Sequence, residues 1–118
     1  MKRYIHFIIT LFLVTNFCSC APLRGPIDAW AGFSKSLKTT EIYIRNNDWG
    51  KAAASLKSAR TAWKKIKPVM QIDIDHDYVN NIENNFTLLK GYIETREKPE
   101  ALALILLVQE DWKNIGSM

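Results

Sequence analysis

The stretch from Asp48 to Lys67 constrains this chain most. Trp49, Ala52, Leu56, Ala59, Trp63 and Ile66 recur at alternating steps of three and four. That period places them along one side of an α-helix. A seam with a tryptophan near each end and small residues between predicts a helix packed closely against neighbours. Asp48 is a good N-cap for it. Pro68 lacks an amide hydrogen and predicts an end or a bend there. Lys51, Lys57, Arg60, Lys64, Lys65 and Lys67 occupy the flanks and outer face. They read as a solvated flank with lysine stems lying over the seam, or as a surface for anionic headgroups or cell-wall polymers.

Three further seams can cover this one. Trp30, Phe33, Leu37, Glu41 and Ile44 predict a first helix over 28–46, with Asp28 as its cap and Asn46-Asn47 as its end. Val79, Ile82, Phe86, Leu89 and Ile93 predict a third helix over 75–95, with His76 one step back on the same line. Pro99 suits the first turn of a last helix over 99–115, whose seam is Ala101, Ile105, Val108, Trp112 and Ile115. Leu102, Leu104, Leu106 and Leu107 widen its apolar face nearly all round. Such a helix is either deeply buried or offers a second face to a partner, at Leu102 and Leu106. Met70, Ile72 and Ile74 alternate as in a strand, but one strand has nothing to pair with. They read as a linker or irregular turn. The expected fold class is all-α, an antiparallel up-down four-helix bundle joined by short connections. A helical-repeat reading fails because only one repeat-like unit is present.

The N-terminus sets the expected compartment. Lys2 and Arg3 precede an apolar run from Tyr4 to Phe17, interrupted by His6, Thr10, Thr15 and Asn16. This suits a signal peptide better than a spanning helix, which needs roughly 20 apolar residues. The following Phe17-Cys18-Ser19-Cys20-Ala21 resembles a bacterial lipobox, although Phe17 stands where Leu or Val is usual. Pro22 would block ordinary cleavage after Ala21. The expected anchor is therefore a diacylglyceryl group on Cys20, the alternative being an uncleaved N-terminal anchor. The domain plan is a signal peptide over 1–20, a tether over 21–27 and a helical domain over 28–118. The membrane is the expected partner through the lipid, together with an envelope protein, at the extracytoplasmic face. Removal of Cys18 with the signal peptide would leave no disulfide, so packing must stabilise the domain.

Charge argues against nucleic acid. Of 16 Lys and Arg, Lys2 and Arg3 lie in the signal segment, which leaves 14 basic against 12 acidic residues. Nucleic-acid binders show a concentrated basic footprint instead.

The most site-like local group is Asp73, Asp75, His76 and Asp77. An EF-hand starting at Asp73 would need Gly at the sixth position and Glu at the twelfth, where Tyr78 and Asn84 stand. A looser metal site would use Asp73, His76, Asp77 and Glu83, since His76, Asn80 and Glu83 share one helical face. The preferred reading is an acidic cluster favouring a helix N-terminus, with His76 hydrogen-bonded at the end of the core. No cofactor is expected. No nucleophile elbow or phosphate-binding glycine loop is present, and enzymatic activity is not expected.

The Asp48-Trp49 start, Trp63 followed by Pro68, His76 leading into Ile82, Leu89 and Ile93, and the Glu100-Ala101-Leu102 start form an ordered set of marks. In these the chain from Trp30 to Ile115 resembles a small family of membrane-tethered helical proteins from Gram-positive bacteria, a domain of unknown function. The resemblance implies an anchored helical domain and supplies no catalytic residue. The expected role is a non-enzymatic interaction or accessory module of the cell envelope, the alternative being a metal or small-ligand binder around His76.

Overall fold

The computed structural model describes residues 24–72 and 76–115. Within them the chain is helical, with α1 over Arg24–Ala31, α2 over Phe33–Arg45, α3 over Trp49–Met70, α4 over His76–Glu94 and α5 over Lys98–Ile115. No strand occurs among the described residues. The segment read as a signal peptide and Cys20, the expected anchor, lie outside them.

The expected seams form the core. All five predicted residues of α4 and all five of α5 are buried. So are Ala52, Leu56, Ala59, Trp63 and Ile66 of α3, while Trp49 is half-buried against them. Phe33 sits at the centre. Its ring centroid lies 5.5 Å from Trp63, 6.1 Å from Phe86 and 5.0 Å from Trp112. The last two contacts are edge-to-face, the arrangement that the ring quadrupole favours. One aromatic from each of α2, α3, α4 and α5 thus meets at one point. Around it, α2 packs on α3 and α5, and α4 packs on α3 and α5.

The first helix differs from its expectation. It begins at Arg24, inside the segment read as tether, and it breaks at Gly32, where φ is +69°. Only glycine enters that left-handed region without a Cβ penalty. The break separates Trp30, which is 70% exposed, from fully buried Phe33. Asp28 does not hold the expected N-cap position: it lies inside α1, Gly32 is the N-cap residue of α2, and the Asp28 carboxylate caps α2 from across the break. Its Oδ1 accepts from the Ser34 amide at 2.8 Å, and its Oδ2 accepts from the Ser34 hydroxyl. The Trp112 indole N–H then donates to Ser34 Oγ at 2.9 Å, which ties the cap to α5. Gly32→Ala should cost about 1 kcal/mol, because alanine there is strained whatever space surrounds it. A denaturant midpoint equal to that of the parent would show that the break is not needed.

Two turns share one device. At the end of α2 the Asp48 amide donates to Tyr43 O and the Asn47 amide to Ile44 O. At the end of α4 the Glu97 amide donates to Tyr92 O and the Arg96 amide to Ile93 O. Both are Schellman motifs with a left-handed residue, Asn47 at φ 55° and Arg96 at φ 58°. Asn47 was legible because asparagine tolerates that region. Arg96 was not.

Pro68 does not end α3. The helix continues to Met70, whose burial and the hydrogen bond from the Gln71 amide to Lys67 O hold the last turn. The strand-like alternation dissolves accordingly: Met70 is helical and buried, Ile72 is a turn residue 86% exposed, and Ile74 lies outside the described residues.

Candidate functional site

Between Trp49 and Met70, α3 carries six cationic side chains and no carboxylate. Three of the six are engaged. Lys51 pairs with Asp48 at 3.6 Å and lies over the Tyr43 ring. Lys65 lies 5.8 Å above the Trp30 ring. Lys67 reaches Glu83 on α4 at 2.6 Å. Lys57, Arg60 and Lys64 have no carboxylate partner among the described residues.

These three line one groove. It encloses about 430 Å³ between α3 and α4. Its α3 wall is Ala53, Leu56, Lys57, Arg60, Thr61 and Lys64, and its α4 wall is Lys90, Ile93 and Glu94. The only carboxylate there, Glu94, is 3.7 Å from Lys90. The groove exists because α3 packs on α4 less extensively than on α2. A small residue on α3 contributes to that: Ala53 lines the groove, is exposed and fills little of the space beside it. Cations at successive steps of three and four rise about 4.5 and 6 Å along the axis, so they form a row.

The buried polar groups are already committed elsewhere. Glu41, 4% exposed, accepts from Lys38 at 2.9 Å, Arg45 at 2.8 Å and Gln109 of α5 at 2.9 Å. Burial alone would raise its pKa. The hydrogen bonds from Gln109, Lys38 and Arg45 together outweigh burial and hold it at about 2. The hydroxyl of buried Thr40 donates to Ser36 O and lies 2.9 Å from Ser55 Oγ. Glu83 receives Lys67 and, at 3.2 Å, the indole N–H of Trp63. The Lys67 hydrogen bond is the main reason its carboxyl titrates below the usual range.

The residues expected around His76 do not assemble from what is described. Asp73 lies outside the described residues. His76 is exposed, not at the end of the core, because the α4 seam begins one turn later at Val79. Asp77 is also exposed, and Glu83 is spent on α3. Among the described residues no group of three or more His, Cys, Asp or Glu is placed to hold a metal. On the last helix, Leu102 is half-buried against the core, while Leu106 and Leu107 are 43% and 46% exposed.

In comparison with known proteins, the family model DUF4363, a domain of unknown function, matches residues 29–117. The chain belongs to this family. No curated protein and no solved structure matches it. The DUF4363 match takes in α2 to α5 entire, so both the Glu41 cluster and the basic groove belong to the family domain. Cys20 and the apolar N-terminus precede it.

Sequence reasoning saw the DUF4363 domain's lysines but not the groove. The missing signal was the absence of any Asp or Glu from Trp49 to Met70. On a solvated helix, cations commonly alternate with carboxylates three or four residues away. Glu41 in a seam position, with Lys38 and Arg45 at helical spacing, was a similar unread sign.

Proposed function

We propose that this DUF4363 protein is a non-enzymatic interaction module of the cell envelope, anchored by lipid on Cys20 at the outer face of the membrane. The observation that carries this reading is the division of its polar groups. The carboxylates of Asp28, Glu41 and Glu83 are consumed by Lys38, Arg45, Gln109, Ser34, Lys67 and Trp63, whereas a row of cations is left unmatched at the surface. A protein arranged in that way offers a surface more readily than a reaction centre. We further propose that α2 to α5 run up and down as an antiparallel four-helix bundle. The three-residue turns at 46–48 and 95–97, and the packing of each helix on two others, support it.

The anchor reading is supported by the charged start at Lys2-Arg3, the short apolar run and the lipobox-like Phe17-Cys18-Ser19-Cys20. Among the described residues no helix is long and apolar enough to cross a membrane. A lipoprotein carries more than one acyl chain, which gives stable attachment where one chain would not. Metabolic labelling with a fatty acid should mark the wild-type chain, and Cys20→Ser should abolish both the label and the cleavage at that site. Label retained in the variant would place the acyl group on a residue other than Cys20, and an unlabelled wild-type chain that keeps its full N-terminal segment would replace the lipid with an uncleaved anchor.

A further inference from the structure

We propose that the groove between α3 and α4 receives an acidic amphipathic helix from a partner protein. The inference rests on the interaction reading above but not on the lipid at Cys20.

Charge complementarity is the first argument. Lys57, Arg60 and Lys64 form a row that no carboxylate among the described residues pairs with, since Glu94, on the opposite wall, lies 3.7 Å from Lys90 beside it. The row has helical spacing, at i, i+3 and i+7. Carboxylates at the same spacing on a second helix have the same rise, so a helix laid along α3 can meet all three cations at once. The second argument is the floor. Ala53, Leu56 and Ile93 line it with carbon-only side chains, and the stems of the cations extend that surface. An apolar side chain between the partner's carboxylates would therefore find a matching lining. The third is position. The groove lies along the less extensively packed side of α3, where an added helix fits between two existing ones. A planar anionic membrane would rest on protruding side chains and leave a recess unfilled. A linear polyanion would use the cations and gain nothing from the floor.

The test uses the full chain in neutral detergent micelles. The probe is a fluorescent helical peptide of roughly 18 residues, about 27 Å long. It carries Glu at steps of three and four beside a Leu stripe. The expected result is saturable binding by anisotropy that weakens as salt rises. Lys57→Glu, Arg60→Glu and Lys64→Glu combined should weaken it at least tenfold. Arg60→Glu alone should weaken it measurably, which keeps the test valid should the triple variant fold poorly. Lys35→Glu, at an exposed cation outside the groove, should change nothing. Failure of the parent chain to bind overturns the proposal. Equal binding by a scrambled peptide of the same composition, or by polyglutamate, overturns the helical occupant. Displacement of the peptide by phosphatidylglycerol doped into the micelles would reassign the groove to lipid headgroups. None of these outcomes bears on Cys20, and failure here leaves an interaction through another face standing.

Discussion

Trp63→Ala should lower the thermal midpoint by roughly 20 °C. The side chain is 2% exposed and contacts the Phe33 ring at 5.5 Å and the Trp112 ring at 6.3 Å. Truncation removes most of a large apolar area and leaves a cavity where α2 to α5 meet, at a cost of about 4 kcal/mol. For a domain of this size each kcal/mol shifts the midpoint by about 4–8 °C. A second loss adds to the first, because the Glu83 carboxylate gives up the indole N–H at 3.2 Å. That loss is the smaller one, since Lys67 still holds Glu83 and the group is partly solvated. Trp63→Phe should separate the two effects, keeping most of the ring contact and losing the hydrogen bond. An unchanged melt for Trp63→Ala would remove the aromatic cluster from the centre of the fold.

Glu41→Gln should flatten the acid side of the stability profile. In the folded chain this carboxyl titrates near 2, against 4.5 for the unperturbed group. A lowered folded pKa means that the unfolded chain binds the proton more readily. The resulting stabilisation is full above the unfolded value and fades as pH falls from about 4.5 towards 2. At about 1.4 kcal/mol per unit, the contribution at neutral pH is on the order of 3 kcal/mol. Lys38 and Arg45 are more than half and half exposed, so salt should reduce it. Urea titrations at pH 7, 4.5 and 3 would measure this. The gap between parent and variant should be widest at pH 7 and shrink steadily towards pH 3. A gap that stays constant over that range would mean that Glu41 contributes packing and hydrogen bonds but no proton-linked stability.

Both expectations draw on residues that the chain itself marked, though to different depths. Trp63 was legible as core from periodicity alone. Glu41 was legible only as a residue on the buried face of its helix. That a carboxylate could remain ionised there depends on Gln109, 68 positions along the chain, and on two neighbours that fold back over it.

The seams of α3, α4 and α5 follow from the residues because a helix repeats every 3.6 positions, and burying one face demands apolar side chains at that interval. The all-α class, the caps at Asp48 and Asn47, and membership of a family of unknown function were therefore readable without coordinates. The break at Gly32, the reach of Asp28 to Ser34, the link from Trp112 to that cap and the groove beside Lys57, Arg60 and Lys64 were not. Each depends on how one helix is rotated and spaced against another, and local periodicity is nearly the same for many such arrangements. Asp28 and Trp112 are 84 residues apart, and only packing brings them to 3.5 Å. The stretch from Asp48 to Lys67 shows the division most clearly. Its apolar side was determined by its own spacing. Its cationic side became a candidate site only when α4 left an open channel along it.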